Sequence, residues 1–155
     1  MNGPVPAPGP AIVLVRPLIP GNTGTVARTC AALQVDLCLV GPLGFDVSDK
    51  AVRRAGLDYW PHVPLHRFED WDDFLARRAP RALFAFEEFG ATSVYDVDWP
   101  ADAHLLFGSE TVGLPPEALD AAEVVRLPMR SPHVRSLNLA NAATAAAYLA
   151  FRALL

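Results

Sequence analysis

The sequence predicts an α/β fold, a mostly parallel sheet with helices on both faces, and three observations carry that prediction. "AIVLV", Ala11 to Val15, is a continuous apolar run of the kind that forms a strand covered on both sides. The segment after it has helical apolar spacing and leads, about thirty residues on, into a second apolar run, "DLCLVG". Short apolar runs then recur to the C-terminal third, separated by helix-forming or loop-forming sequence. Strand, helix and strand in that order make a βαβ unit, which sets the strands parallel and the crossover right-handed.

Taken in order, residues 1–10 carry four prolines and two glycines and predict an extended, mobile tail outside the core. The remainder, 11–155, reads as a single domain. After the first strand, Asn22 to Gln34 has Val26, Cys30 and Leu33 at helical spacing, with Asn22 or Thr23 available as its N-cap. "DLCLVG" is the second strand. Helices follow around Asp49 to Ala55 and at Trp71 to Arg78, and strands at "RALFAF", "HLLFGS" and "EVVRL". The last stretch, "SLNLANAATAAAYLAFRALL", is helical, almost uncharged and apolar on most faces, so it is either deeply buried or part of a subunit contact. Its alanines permit close approach of another helix, which predicts a homodimer formed partly through this segment.

Composition bounds the function. With 155 residues, 52% of them apolar, the chain suits one globular core. No apolar run is long enough to span a membrane and the start has neither a basic nor an apolar signal region, which predicts a cytoplasmic protein. Two cysteines, Cys30 and Cys38, are too few for a disulfide framework and stand at no metal-ligand spacing, so they read as reduced core thiols and no metal is expected. The net charge of −4 argues against a protein coated in nucleic acid. Charge is nevertheless uneven, because "DKAVRRAG" gathers Lys50, Arg53 and Arg54 while "FEDWDD" gathers four acids.

In open α/β sheets ligands bind beyond the carboxyl ends of the strands, so the loops there are the candidate site. They are "PLIPGNTGTVAR", "EEFG", "GSETVGLP" and "PMRSPHVRSLNLAN". "GNTGTVAR" lacks the Lys-Ser/Thr ending of a phosphate-binding P-loop and the glycine spacing of a dinucleotide fingerprint, and no Gly-x-Ser-x-Gly elbow occurs. The four histidines are scattered and read as structural or surface residues. Residue by residue, plainer readings stand beside the functional ones. Asn22 caps a helix and Arg28 is a solvated charge; Glu110 caps the short helix near "LPPEAL" or accepts backbone N–H groups in its turn; Ser136 is an N-cap followed by two asparagines that satisfy loop carbonyls.

Three of these segments in sequence tip the balance. "NTGTVARTCAA", "LLFGSETVGLP" and "RLPM...RSLNLANAATAAAY" resemble, in order and spacing, the three signature motifs of SPOUT-class RNA 2'-O-ribose methyltransferases. "GFDVSDKAVRRAGLDYW" is similar to the small single-domain subfamily that methylates the wobble nucleotide, position 34, of certain leucine tRNAs. The resemblance implies a fold whose C-terminal part threads a loop to form a deep trefoil knot, with S-adenosylmethionine bound in the knot. It implies cofactor contacts at Phe86, Gly108, Leu127, Met129, Ser136 and Asn138, with apolar side chains as walls and main-chain groups supplying polarity. It assigns catalysis to Arg28. A guanidinium with a pKa above about 12 is a poor base, so a grip on a phosphate or on the developing alkoxide is the chemically sensible role. Phosphate contacts from Lys50, Arg53 and Arg54, joined by Arg16, Arg130 and Arg135, with Asn22 also facing RNA, would hold a tRNA anticodon loop. Glu87 and Glu88 depart from the family pattern, where small polar residues are commoner. Two other readings stay open: a methyltransferase for another tRNA or ribosomal RNA position, and a catalytically idle RNA-binding dimer.

Overall fold

The computed structural model describes residues 8–48, 50, 54 and 59–155. Seven strands form one sheet: β1 (Ala11–Val15), β2 (Asp36–Val40), β3 (Leu65–Phe68), β4 (Ala82–Phe86), β5 (Thr92–Ser93), β6 (Ala103–Phe107) and β7 (Glu123–Arg126). Their order is β3-β2-β1-β6-β4-β7-β5, and every pairing is parallel. The helices are α1 (Pro20–Leu33), α2 (Trp71–Arg78), α3 (Pro116–Ala121) and α4 (Leu139–Ala150).

Alternation along β1 shows how the sheet is covered on both faces. Ile12 and Leu14 enter one apolar cluster with Val26, Ala27 and Cys30 of α1 and Ala143, Ala146 and Ala147 of α4. Ala11, Val13 and Val15 enter the other, with Trp71 and Phe74 of α2 and Ala118 of α3. A fully apolar strand is therefore required at β1, where every residue is buried. Both cysteines are buried free thiols, and burial raises the pKa of each, Cys38 to about 12, so neither forms a reactive thiolate near neutral pH.

Several elements differ from the sequence expectation. α1 begins at Pro20 rather than Asn22, and its N-cap, Ile19, offers no side-chain cap. A proline in the first turn suits a helix start, since its missing N–H would have had no helical partner. α4 begins at Leu139 with Asn138, not Ser136, as its N-cap; the Asn138 carboxamide oxygen accepts from Asn141 N–H at 3.1 Å. It ends at Ala150, so the terminal segment is not one continuous helix. Its apolar character has an internal cause, because Ala140, Ala143, Ala146, Ala147 and Ala150 are buried within the chain. At the last residues of the expected tail, the Gly9 carbonyl accepts from Arg78 and the Pro10 carbonyl from Asp36 N–H, next to the start of the sheet. The helix expected around Asp49 to Ala55 lies mostly outside the described residues; Lys50 and Arg54, which are described, are helical and exposed.

After β7 the chain must return across β4 to reach α4, which packs on α1 and β6. The returning segment and the loop after β6 meet above the carboxyl ends of the central strands, and the candidate site lies there.

Candidate functional site

β4, β6 and β7 end at Phe86, Phe107 and Arg126, and the segments that follow them enclose a cavity of about 570 Å³. That volume lies in the ~300–1,000 Å³ range of small-ligand sites. Phe86, Gly108, Leu127, Met129, Ser136 and Asn138, far apart in sequence, all line it, and Asn22 joins them from α1. The Phe86 ring is fixed by its neighbours. It stacks on Phe107 at a centroid separation of 5.0 Å and lies parallel to Trp99 at 6.1 Å, so one apolar wall is rigid. On the facing side, residues 129–137 form no backbone-to-backbone hydrogen bond among the described residues, leaving main-chain donors and acceptors along that wall.

Glycines make the loop after β6 possible. A Cβ on Gly108 would stand 2.0 Å from the Gly113 carbonyl carbon, so the loop closes against its own backbone at this point. Gly108 is thus required by the loop itself, besides the cofactor contact that the family resemblance implies for it. Gly113 has φ +81°, in the left-handed region, and its N–H donates to the Ser109 carbonyl at 3.1 Å. The Ser109 hydroxyl accepts from Val112 N–H at 3.0 Å.

Glu110 neither caps the helix near "LPPEAL" nor serves only its own turn. Its carboxylate accepts from the N–H groups of Leu18 and Ile19, each at 2.9 Å, and from the Asn22 side-chain amide at 3.2 Å. It anchors the two residues that lead into α1 and the Asn22 side chain in the first turn, from 88 or more residues away, at a helix start whose N-cap residue makes no side-chain bond. Burial alone would raise its pKa, but those donors outweigh burial and the net shift is downward. The Asn22 carbonyl oxygen in turn accepts from the Asn138 amide at 3.4 Å. One carboxylate therefore ties together the loop after β6, the start of α1 and the start of α4. Asn22, expected to face RNA, has both ends of its amide engaged in this chain of bonds.

Arg28 is not among the residues that line the cavity. It is exposed on α1, and its guanidinium stands over the Tyr59 ring, 4.6 Å from the centroid. Glu110 therefore orients Asn22 and Asn138, and no bond joins it to Arg28 among the described residues. Of the expected phosphate contacts, Lys50 and Arg54 are exposed, Arg53 lies outside the described residues, and Arg130 and Arg135 are exposed on the segment after β7. Arg16 is held by Glu117 at 2.9 Å. Among the described residues no three His, Cys, Asp or Glu side chains gather as a metal site would require; of the cavity's polar lining, Glu87, Ser109, Glu110, Asn22 and Asn138 are bonded to the chain itself.

Sequence reasoning left two contacts unseen. Glu87 lines the cavity and its carboxylate accepts from Leu114 N–H at 2.8 Å, an anchor across 27 residues that no local pattern signals. Tyr59 carried no site assignment, although it belongs to the segment "GFDVSDKAVRRAGLDYW" that carried the subfamily resemblance.

Comparison with known proteins places this geometry. A family described as the SpoU rRNA Methylase family matches residues 9–148. The tRNA (cytidine(34)-2'-O)-methyltransferase of Saccharophagus degradans is 44% identical over 148 residues, covering 92% of this chain and 94% of the relative. A putative enzyme of the same description from Synechocystis sp. is also 44% identical, covering 92% of this chain and 95% of the relative. Among solved structures, a chain from a study of "the 2-OH methylation of C/U34 on tRNA" superposes with a TM-score of 0.88 at 47% identity, covering 93% of this chain and 95% of that one. The SpoU methyltransferase AviRb from Streptomyces viridochromogenes, solved in complex with AdoMet, gives a TM-score of 0.82 at 32% identity and covers 97% of this chain and 59% of that one. With a family match spanning nearly the whole chain and relatives similar from end to end, the protein belongs to the SpoU methylase family.

Proposed function

We propose that the protein is an S-adenosylmethionine-dependent 2'-O-ribose methyltransferase that modifies the wobble nucleotide, position 34, of tRNA, and that leucine isoacceptors, with cytidine or uridine there, are its substrates. The observation that carries this reading is the cavity at the carboxyl ends of β4, β6 and β7, into which all six residues assigned to the cofactor converge. Relatives named as tRNA (cytidine(34)-2'-O)-methyltransferases match over nearly their full length, and AviRb holds AdoMet on the same fold.

The donor set fits the cofactor. Phe86 and Leu127 would wall the adenine, main-chain groups of the 127–137 segment would hold its edge, and the Ser136 hydroxyl and Asn138 amide line the same cavity. When bound, S-adenosylmethionine supplies a methyl group activated by its sulfonium. The chain's contribution is alignment: the Glu110–Asn22–Asn138 chain of bonds fixes the cavity's rim, so that an incoming ribose meets a preset geometry. Arg28 is fitted to hold phosphate or the developing alkoxide through its planar donor fork. Because it stands outside the cavity of its own chain, the working unit we propose is a homodimer in which a second copy brings Arg28 to the site. The exposed stripe of Asn141, Ala145 and Tyr148 on α4 offers that copy a surface beyond the buried alanine face. We also propose that residues 127–138, returning beneath the loop after β6, form the knot that the family resemblance implies.

Mapping 2'-O-methylation in tRNA from cells with and without the gene tests the function. Loss at position 34 of leucine isoacceptors is expected. Loss confined to another tRNA position or to ribosomal RNA would assign a different substrate, and no loss with intact tRNA binding would leave a binder without activity.

A further inference from the structure

The cavity is lined by side chains that include carboxylates and, among the described residues, neither lysine, arginine nor histidine. Its carboxylates are not equivalent. Glu110 is consumed by three donors at the start of α1, and Glu88 is exposed to solvent that screens it. Glu87 is different. It follows the last residue of β4, it is half-buried, and one carboxylate oxygen is taken by Leu114 N–H at 2.8 Å while no donor meets the other among the described residues. A Cβ on Gly113 would stand 2.8 Å from the bonded oxygen, so the carboxylate is packed tightly against the loop and its position is set.

We propose that Glu87 makes the cavity selective for the charge of its ligand, binding the cationic sulfonium cofactor in preference to the neutral thioether that remains after transfer. This deepens the reading of the cavity as the S-adenosylmethionine site and rests on it. In the reaction the methyl carbon breaks its bond to sulfur and bonds to the ribose 2'-oxygen; the S–C electron pair stays on sulfur, and the hydroxyl proton passes to water. The ligand thereby loses its sulfonium charge. A fixed carboxylate in a partly desolvated wall feels that loss far more than an exposed one would. Product release is favoured for the same reason that cofactor binding is. The carboxylate's own state agrees: burial first, and the neighbouring Glu88 second, hold its pKa above the ordinary value against the Leu114 N–H, which describes a charge that gains from a cation beside it.

The test is equilibrium binding by calorimetry at neutral pH, using the whole chain with S-adenosylmethionine, S-adenosylhomocysteine and sinefungin, whose amine carries a positive charge in place of the sulfonium. Glu87→Gln keeps an oxygen for Leu114 N–H and removes only the charge. The expected result is a loss of about tenfold in affinity for the two cationic ligands with S-adenosylhomocysteine changed less than twofold. Glu88→Gln should move all three by less than twofold. Equal weakening of all three ligands by Glu87→Gln would make the residue a loop anchor only and overturn the proposal, as would a larger charge effect from Glu88→Gln. Failure of the wild-type chain to bind any of the three overturns the reading of the cavity itself, a result distinct from binding without charge preference.

Discussion

Glu110 acts on three segments at once, and its consequences are those of an anchor rather than of a catalytic acid. Its donors, the Leu18 and Ile19 N–H groups and the Asn22 amide, stand at the entry to α1, and a carboxylate placed at that end also meets the positive end of the helix dipole. Replacing it by alanine removes three acceptor contacts, to Leu18, Ile19 and Asn22. A loss of about 1–3 kcal/mol in unfolding free energy is expected, read from urea denaturation. Glu110→Gln, which keeps one oxygen as acceptor, should recover part of that loss. Because Asn22 passes the constraint to Asn138, Glu110→Ala should also weaken cofactor binding by more than its fold destabilisation accounts for. A variant as stable and as tight-binding as the wild type would remove Glu110 from this role.

At the level of elements, α1 carries both an inner and an outer function. Its inner face packs on α4, where the Thr29 and Thr144 hydroxyls bond at 2.8 Å, and its outer face presents Arg28 over Tyr59. Arg28→Lys retains a positive charge but loses the planar fork that grips two oxygens and stacks on a ring. The expectation is a loss of most methyl transfer, about a hundredfold, with S-adenosylmethionine affinity unchanged, since the role proposed for Arg28 is to hold phosphate or the developing alkoxide and not the cofactor. Turnover near normal would refute a role that depends on the guanidinium's shape. The central strands and α2 were legible because their burial repeats the simple rule of apolar residues inside: β1, β6 and most of β2 are buried throughout. The edges were not legible. β3 exposes His66 and Arg67, and β5 is two residues long, so neither shows a period, as is common for strands that must not invite further pairing. The cavity-lining residues could be named from motifs, whereas Glu87 with Leu114, Glu110 with α1, and Arg28 with Tyr59 depend on contacts between distant segments. A sequence period reports which face of an element is buried, and it carries no information about which distant donor a carboxylate will meet.

The two ends of the molecule divide labour between binding and holding. At the carboxyl ends of the strands lies the cavity; at the opposite end, buried Arg78 and His104 form a polar cluster with the half-buried Asp36. Arg78 joins it, with Nη1 2.8 Å from Asp36 and Nε donating to His104 Nε2 at 3.0 Å. His104 has no exposed surface. Its Nε2 accepts from Arg78, so the ring is neutral and its Nδ1–H donates to the Asp102 carbonyl at 2.9 Å. Burial is the main reason that its pKa falls from 6.5 to about 4; the Arg78 charge acts in the same direction, while the Asp102 carbonyl opposes both. In the unfolded chain the same imidazole takes a proton near pH 6.5. Between these two values the unfolded state binds more protons than the native state, so stability rises with pH across that window. The His104 contribution is fully present above pH 6.5 and is lost as pH falls toward about 4. At about pH 5 the loss relative to about pH 7.5 is on the order of 2 kcal/mol. Asp36 acts in a separate, lower window. Burial raises its pKa, but its bonds to His66 and Arg78 outweigh burial, so the stability it provides is lost only below the ordinary aspartate value of 3.8. His104→Gln should be less stable than the wild type at about pH 7.5, because the amide replaces the ring imperfectly, yet the difference between the two should shrink by about 2 kcal/mol at about pH 5. Urea unfolding of both proteins at the two pH values measures this directly. A difference that is the same at both would mean that His104 is not held neutral, and that the cluster at the base of the sheet contributes through packing rather than through an excluded proton.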